Sequence, residues 1–209
     1  MTQKGQFGKN VFINCPFDDD YIPLLRPLLF TVLYCGLTPR ITSESFDSGE
    51  TRLNSICKLI SNSKFSIHDL SRLRARKAKE FHRMNMPFEL GVDLGCRRFG
   101  NGALRRKRFL ILDEHRYRYQ KALSDISGSD IKHHTKNPRN IVRQARNWFV
   151  ENGLAGTPSG QAIWLEFNEF MADFYEKRRR DGYSRKELQI MPIPELISFM
   201  RRWIASHDL

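Results

Sequence analysis

The sequence predicts an α/β fold, a flavodoxin-like parallel sheet with helices on both faces and a C-terminal helical extension. Three observations predict it. Four apolar runs, Val11–Phe17, Leu37–Thr42, Lys64–Leu70 and Lys107–Leu112, are too short for helices and read as buried strands. Stretches with helical spacing stand between them, joined by short connections. Strands alternating with helices in this way argue for parallel pairing.

The elements follow in order. Residues 1–9 are polar and read as an arm. The first strand is ended by Pro16 and by Asp18–Asp20, and those acidic residues suit the start of a helix. Ile22, Leu25, Leu28, Leu29, Val32 and Leu33 form that helix's stripe. Pro23 fits its first turn, Pro27 threatens a kink and Gly36 closes it. After the weaker second strand comes a polar loop, Ser43–Glu50, and then a helix over Thr51–Ser61 with Leu53, Ile56, Cys57 and Ile60 on one face. The third strand ends in His68-Asp69. A basic loop follows, then a helix over Pro87–Arg98 with Pro87 as its first residue. The fourth strand ends at Asp113-Glu114. Beyond it, helices are expected over Tyr117–Ser127, from Asn137 to Gly153, around Ile163–Phe174 and over Pro194–Ser206. Residues 10–115 thus form the α/β core, and residues 116–209 a helical extension packed on or beside it.

Bulk properties narrow the class. The 209 residues are 40% hydrophobic with 15 Phe, enough for a real core. The net charge of +12 comes in runs, Arg72–Lys79, Arg97–Arg108 and Lys177–Arg180, and suits anionic partners or solubility. Cys15, Cys35, Cys57 and Cys96 are widely spaced within apolar stretches and read as reduced core residues. No run approaches a membrane span and no signal peptide is evident, so a soluble cytoplasmic protein is expected. His133-His134 lacks a Cys or carboxylate at ligand spacing and reads as structural or surface; no metal site is expected.

A strand order 2-1-3-4 puts the ends of the first and third strands side by side at a switch point. The crevice there would gather Asn14, Pro16, Phe17, Asp18, Glu44, Asp69, Ser71 and Glu89. Neither a dinucleotide fingerprint, nor a phosphate loop of the NTPase type, nor a GxSxG elbow occurs. Carboxylates at strand ends remain, with Glu89 near a helix start, where the ionised form is favoured. An ionised Glu can attack a sugar C1′ or stabilise an oxocarbenium-like transition state. A pyridinium leaving group needs no acid; a nucleobase does, from Asp69 or Asp18. Blander roles stand beside these. Glu89 can be a capping or surface carboxylate, Asp69 and Ser71 turn residues, His68 a core histidine, and Asp47–Arg52 a solvated helix start. Phe88 would pack beneath the site, and Gly91 would allow close approach of another element.

The runs VFINCPFDDDY, DSGETRL, IHDLSR and NMPFELGVDLG resemble bacterial TIR-like proteins, related in fold to nucleoside 2-deoxyribosyltransferases. The resemblance covers roughly residues 10–113. It implies that Glu89, in Phe88-Glu89-Leu90-Gly91, is the catalytic carboxylate, and that Asp69 is the acidic residue after the third strand. The Gly-Thr of the transferases is replaced by Asn85-Met86-Pro87, and the Trp-Cys of TIR domains is absent.

The resemblance leads to an NAD-cleaving glycohydrolase, an effector in antiviral defence that works as a homo-oligomer, with a protein partner or trigger and with NAD as substrate, not cofactor. Phe17 would line or stack the nicotinamide or adenine side, Asp18, Asp69 and Ser71 would hydrogen-bond ribose hydroxyls or base, Arg40, Arg52 and Arg72 would meet the pyrophosphate, and Asn14, Pro16, Glu44 and Phe88 are further substrate-binding candidates. The alternatives are a nucleoside or nucleotide 2-deoxyribosyltransferase or N-glycosidase, a non-catalytic nucleotide-sensing or assembly module and, last, a nucleic-acid binder.

Overall fold

A computed structural model describes residues 6–42, 49–72 and 84–207. Its centre is a five-stranded parallel sheet of order β2-β1-β3-β4-β5. The strands are β1 (Asn10–Asn14), β2 (Thr38–Arg40), β3 (Phe65–Asp69), β4 (Arg108–Asp113) and β5 (Lys132–His133). The expected order of the first four holds. The fifth strand was not expected; it pairs Leu112 with Lys132 and Asp113 with His133. Two residues carry too little periodicity to read as a strand. β1 stops at Asn14, short of the expected Phe17, because Pro16 has no N–H to continue a ladder. β2 tolerates Pro39 because it is an edge strand with one unpaired side.

Seven α-helices complete the described fold: α1 (Ile22–Tyr34), α2 (Arg52–Ser61), α3 (Asn85–Phe99), α4 (Pro138–Glu151), α5 (Gly160–Arg180), α6 (Arg185–Gln189) and α7 (Ile193–Ser206). α1 runs through Pro27, and the Thr31 hydroxyl donates to the Pro27 carbonyl at 2.7 Å. Gly36 follows it at φ +70°, the left-handed position that ends a helix. The α2 stripe is Ile56, Leu59 and Ile60; Leu53 and Cys57, expected on it, are exposed. Tyr117–Ser127 holds two short 3₁₀ turns, Tyr119–Lys121 and Ser124–Ile126, where one helix was expected. Too few apolar residues recur there at helical spacing to bury a continuous face.

Alternation along the strands divides the core. Val11, Ile13, Phe65, Ile67, Leu110 and Leu112 face α1, α4, α5 and α7 in one continuous apolar cluster. Phe12 packs with Ile56, Leu59 and Ile60 of α2 on the opposite face, and Ile111 with Met86 and Leu90 of α3. The C-terminal helices therefore close one face of the sheet, and both β5 and α4 belong to the layers that begin at Asn10. No helix among the described residues is long and apolar enough to cross a membrane.

The connection after β1 leads to α1 on one face, and the connection after β3 leads to α3 on the other. The chain thus diverges between the C-terminal ends of β1 and β3, where open α/β sheets hold their ligands.

Candidate functional site

The residues at this divergence are tied down from below. Asn14, the last residue of β1, donates through Nδ2 to the Met86 carbonyl at 2.9 Å and to His68 Nδ1 at 3.0 Å. An amide NH2 can only donate, so the ring proton of His68 lies on Nε2, 3.1 Å from Asp93 Oδ2. Asp93 Oδ1 lies 3.1 Å from Lys107 Nζ, which donates to the carbonyls of Ser63 and, at 2.7 Å, Ile60. His68, Asp93 and Lys107 are all fully buried. Burial acts to raise the Asp93 pKa, but His68 and Lys107 outweigh it and the carboxyl lies below its ordinary value. The chain of contacts anchors α3 to β1, β3 and the end of α2.

A second cluster sits at the end of β3. Asp69 accepts from the Tyr21 hydroxyl at 2.6 Å, from the Ser71 N–H at 2.8 Å and from the Ser71 hydroxyl. His134 Nε2 lies 3.1 Å from Asp69 Oδ2 and 2.9 Å from Ser71 Oγ. The Lys136 N–H donates to His134 Nδ1 at 3.0 Å, so the ring proton is on Nε2 and points at the carboxylate. Burial would raise the Asp69 pKa, yet His134, Ser71 and Tyr21 together hold it below the usual value. This is not a serine–histidine–aspartate relay: the serine and the aspartate share one ring nitrogen, and the other is spent on backbone. Beside it Arg118 grips Asp113 and donates to the Ser71 carbonyl at 2.9 Å.

Glu89 differs from these acids. It is buried, at 4% exposure, yet no hydrogen-bond donor among the described residues reaches its carboxyl. Burial pushes its pKa up to about 7, and Arg52 at the start of α2 opposes this. α3 begins at Asn85, two residues before the expected start, so Pro87 is its third residue and Glu89 lies beyond the first turn. There the helix dipole no longer offsets desolvation, which weakens the expectation of a fully ionised resting carboxylate. Cys15, just past β1, feels the fields of Asp69, Glu89 and Asp18, and these with burial raise its thiol pKa well above the ordinary value. Asp18, Asp69 and Glu89 thus lie near enough to Cys15 to act on it together.

Of the expected site residues, Asn14, Pro16, Asp18, Asp69, Ser71, Arg72 and Glu89 are brought to this end of the sheet. Their contacts within the protein vary. Asn14 and Asp69 are buried and fully engaged with protein partners, so neither offers a free group to a ligand. Arg72 pairs with Asp18 at 2.5 Å and Asp20 at 3.5 Å, which neutralises a cation expected for a pyrophosphate. Phe88 is 55% exposed and does not pack beneath the site. Among the described residues Gly91 has no neighbour that an added Cβ would meet. Phe17 is exposed and Arg52 stands on the outer surface of α2. Arg40 lines a different cavity, with Lys9 and Arg201. Glu44 and Asp47, and most of the basic loop Arg72–Lys79, lie outside the described residues.

Tyr21, Asp93, Lys107, Arg118 and His134 were not foreseen. Asp93 had a signal, because it falls three residues after Leu90 on the buried stripe of α3. Among the described residues no group of three or more metal-ligating side chains is assembled. Comparisons with protein-family models, curated proteins and solved structures yield no match to this chain.

Proposed function

We infer that the protein cleaves the N-glycosidic bond of a nicotinamide dinucleotide and that Glu89 is the catalytic carboxylate. The carrying observation is Glu89 itself, a buried acid at the sheet's switch point, without a hydrogen-bond donor among the described residues, while Asp69 collects four donors and Asp93 is paired with His68 and Lys107. A group desolvated in this way gains from a cationic ligand more than a paired carboxylate does. The pyridinium ring of NAD supplies that cation. Its approach favours the ionised form of Glu89, which then attacks C1′ or stabilises the oxocarbenium ion as the C1′–N bond breaks. The bonding electron pair neutralises the ring, nicotinamide leaves without protonation, and water adds at C1′ with release of one proton.

A second reading draws on the same raised pKa. A carboxyl that is half protonated near neutral pH can serve as general acid for a neutral nucleobase, as a nucleoside N-glycosidase or deoxyribosyltransferase requires.

The test is incubation of the concentrated protein with NAD and with a panel of nucleosides, beside Glu89→Gln. The high concentration allows for activity that needs assembly of several copies. Nicotinamide release abolished by Glu89→Gln is the expected result. Base release from nucleosides, with NAD untouched, favours the second reading. Activity retained in Glu89→Gln overturns both.

A further inference from the structure

Arg139, Arg143 and Arg146 recur along α4 at intervals of four and three residues, which sets them in one stripe on the helix. Each is followed by an amide residue, Asn140, Gln144 and Asn147 in turn, so the amides border the stripe. The opposite side of α4, with Ile141, Val142, Ala145, Trp148 and Phe149, is buried in the core. The helix carries no acid before Glu151, its last residue.

Neutral acceptors hold these guanidinium groups. Arg139 donates to the Gln161 side chain, and Arg143 to Asn140 Oδ1 at 3.2 Å. Arg146 donates to the Pro158 carbonyl at 2.7 Å and to the Thr157 carbonyl at 2.8 Å. Such contacts orient the groups without cancelling their charge, and among the described residues none of the three has a carboxylate partner. The basic run at the end of α5 differs. There Lys177, Arg178 and Arg180 pair with Asp173, Asp181 and Glu176. The spaced arginines of α4 therefore keep a charge that the contiguous run has largely spent.

We propose that the arginine stripe of α4 binds the phosphate backbone of a double-stranded nucleic acid. Arg139 and Arg146 lie about 10 Å apart along the helix axis, a length over which one strand of a duplex carries about three phosphates. Guanidinium groups suit phosphate oxygens through paired N–H donors, and the bordering amides can both donate and accept at sugars. A single strand would need exposed rings to stack on, but Trp148 and Phe149 of α4 are buried. An anionic membrane would need an apolar face to insert, and α4 has spent that face on the core. The net charge of +12 assists the encounter with a polyanion. Binding here goes beyond the glycosidase reading and does not involve Glu89.

The test is fluorescence anisotropy of the full chain with a labelled DNA duplex of about 20 base pairs, between about 50 and 200 mM salt. The labelled single strand, unlabelled polyglutamate as competitor and phosphatidylserine vesicles are run beside it. Wild type is compared with the double variant Arg139→Gln/Arg143→Gln. A second double variant, Arg185→Gln/Lys186→Gln, removes the same charge from α6. All four positions are exposed, and circular dichroism confirms that each variant is folded. The duplex is expected to bind, with log K falling linearly in log salt. Arg139→Gln/Arg143→Gln should cost at least tenfold in affinity at low salt and reduce the salt slope by about two. Arg185→Gln/Lys186→Gln should cost less than threefold. Absence of duplex binding at tens of micromolar protein in the lowest salt overturns the proposal. So does an equal loss in both double variants, which would make the effect one of net charge alone. Single strand or vesicles bound as tightly as duplex, or polyglutamate competing as well as unlabelled duplex, would give the face to another partner and overturn it too. Because binding is read directly, the outcome does not depend on whether NAD is cleaved.

Discussion

Asn14 at the end of β1 and Met86 in the first turn of α3 are 72 residues apart in sequence and joined by a 2.9 Å hydrogen bond from side-chain amide to backbone carbonyl. The bond fixes the start of α3 three residues before Glu89. The same amide reaches His68, so one side chain couples the ends of both central strands to the helix that carries the buried acid. Replacing Asn14 with Leu leaves the Met86 carbonyl and His68 Nδ1 without this donor, at about 1–3 kcal/mol for each buried group. Melting should fall accordingly, and amide exchange should accelerate in the first turn of α3 more than in β4. Equal exchange throughout would show that the bond does not position the helix.

Glu89 makes both stability and activity depend on pH. Its folded pKa of about 7 exceeds the ordinary 4.5, so the folded state holds a proton that the unfolded chain has lost between those values. Its contribution is complete below pH 4.5 and is lost as pH rises through 7. At about 1.4 kcal/mol per pH unit, the full loss is on the order of 3 kcal/mol. Glu89→Gln should therefore match wild type at pH 4.5 and exceed it by about 2–3 kcal/mol at pH 8, while losing NAD cleavage. Chemical denaturation at the two pH values measures this. A Gln variant less stable at pH 8 would mean that the acid has a partner.

The pH–rate profile separates the two chemistries. Attack by ionised Glu89 gives a kcat/KM that rises with pH through about 7, the value for the free protein. A bound pyridinium favours ionisation, so the limb for kcat should move to lower pH. General-acid catalysis on a neutral base gives the reverse, a rate that falls as pH passes 7. A flat profile between pH 5 and 9 would remove Glu89 from either role.

How much of this was legible follows from where each signal lives. A strand announced itself in Val11–Ile13 because burial on both faces leaves an unbroken apolar run, and in Phe65–Ile67 with only the small Ser66 interrupting it. A flavodoxin-like strand order, assumed for such an alternation, brought Asn14, Asp69 and Glu89 near one crevice. Burial of individual polar groups was not legible. Asp69 and Glu89 are both acids near strand or helix ends, yet among the described residues one collects four donors and the other none, because Tyr21 and His134 come from distant parts of the chain. β5 and the role of His134 were hidden for the same reason, since a two-residue strand takes its meaning from the neighbour that it pairs with.

Asp69 illustrates the consequence. The sequence makes it a catalytic candidate, and its contacts with Tyr21, Ser71 and His134 give it a structural role as well. Asp69→Asn would retain one accepting oxygen and turn an NH2 toward either Ser71 or Tyr21 and His134, all of which donate. A loss of about 2–4 kcal/mol is expected from the broken charged hydrogen bonds. Tyr21→Phe removes one donor and should cost about 1–2 kcal/mol. Any activity lost in Asp69→Asn should then track unfolding, and return on cooling or with stabilising osmolyte. Full stability with no activity would restore the catalytic assignment.

The Asp93–Lys107 pair tests whether the buried chain beneath α3 stabilises the fold or only specifies it. Both side chains are fully buried at 3.1 Å, and Lys107 also satisfies two carbonyls at the end of α2. Burial draws the Lys107 pKa below its ordinary value against the pull of Asp93. Lys107→Met alone strands the Asp93 charge and should cost about 3–5 kcal/mol. Lys107→Met combined with Asp93→Leu removes both charges and should recover most of that loss. The double variant still leaves the Ile60 and Ser63 carbonyls and His68 Nε2 without their partners, so recovery should stop about 1–3 kcal/mol short of wild type. Denaturant unfolding of the two singles and the double yields the coupling energy directly. Strict additivity would show that Asp93 and Lys107 act separately and that the start of α3 is held by Asn14 alone.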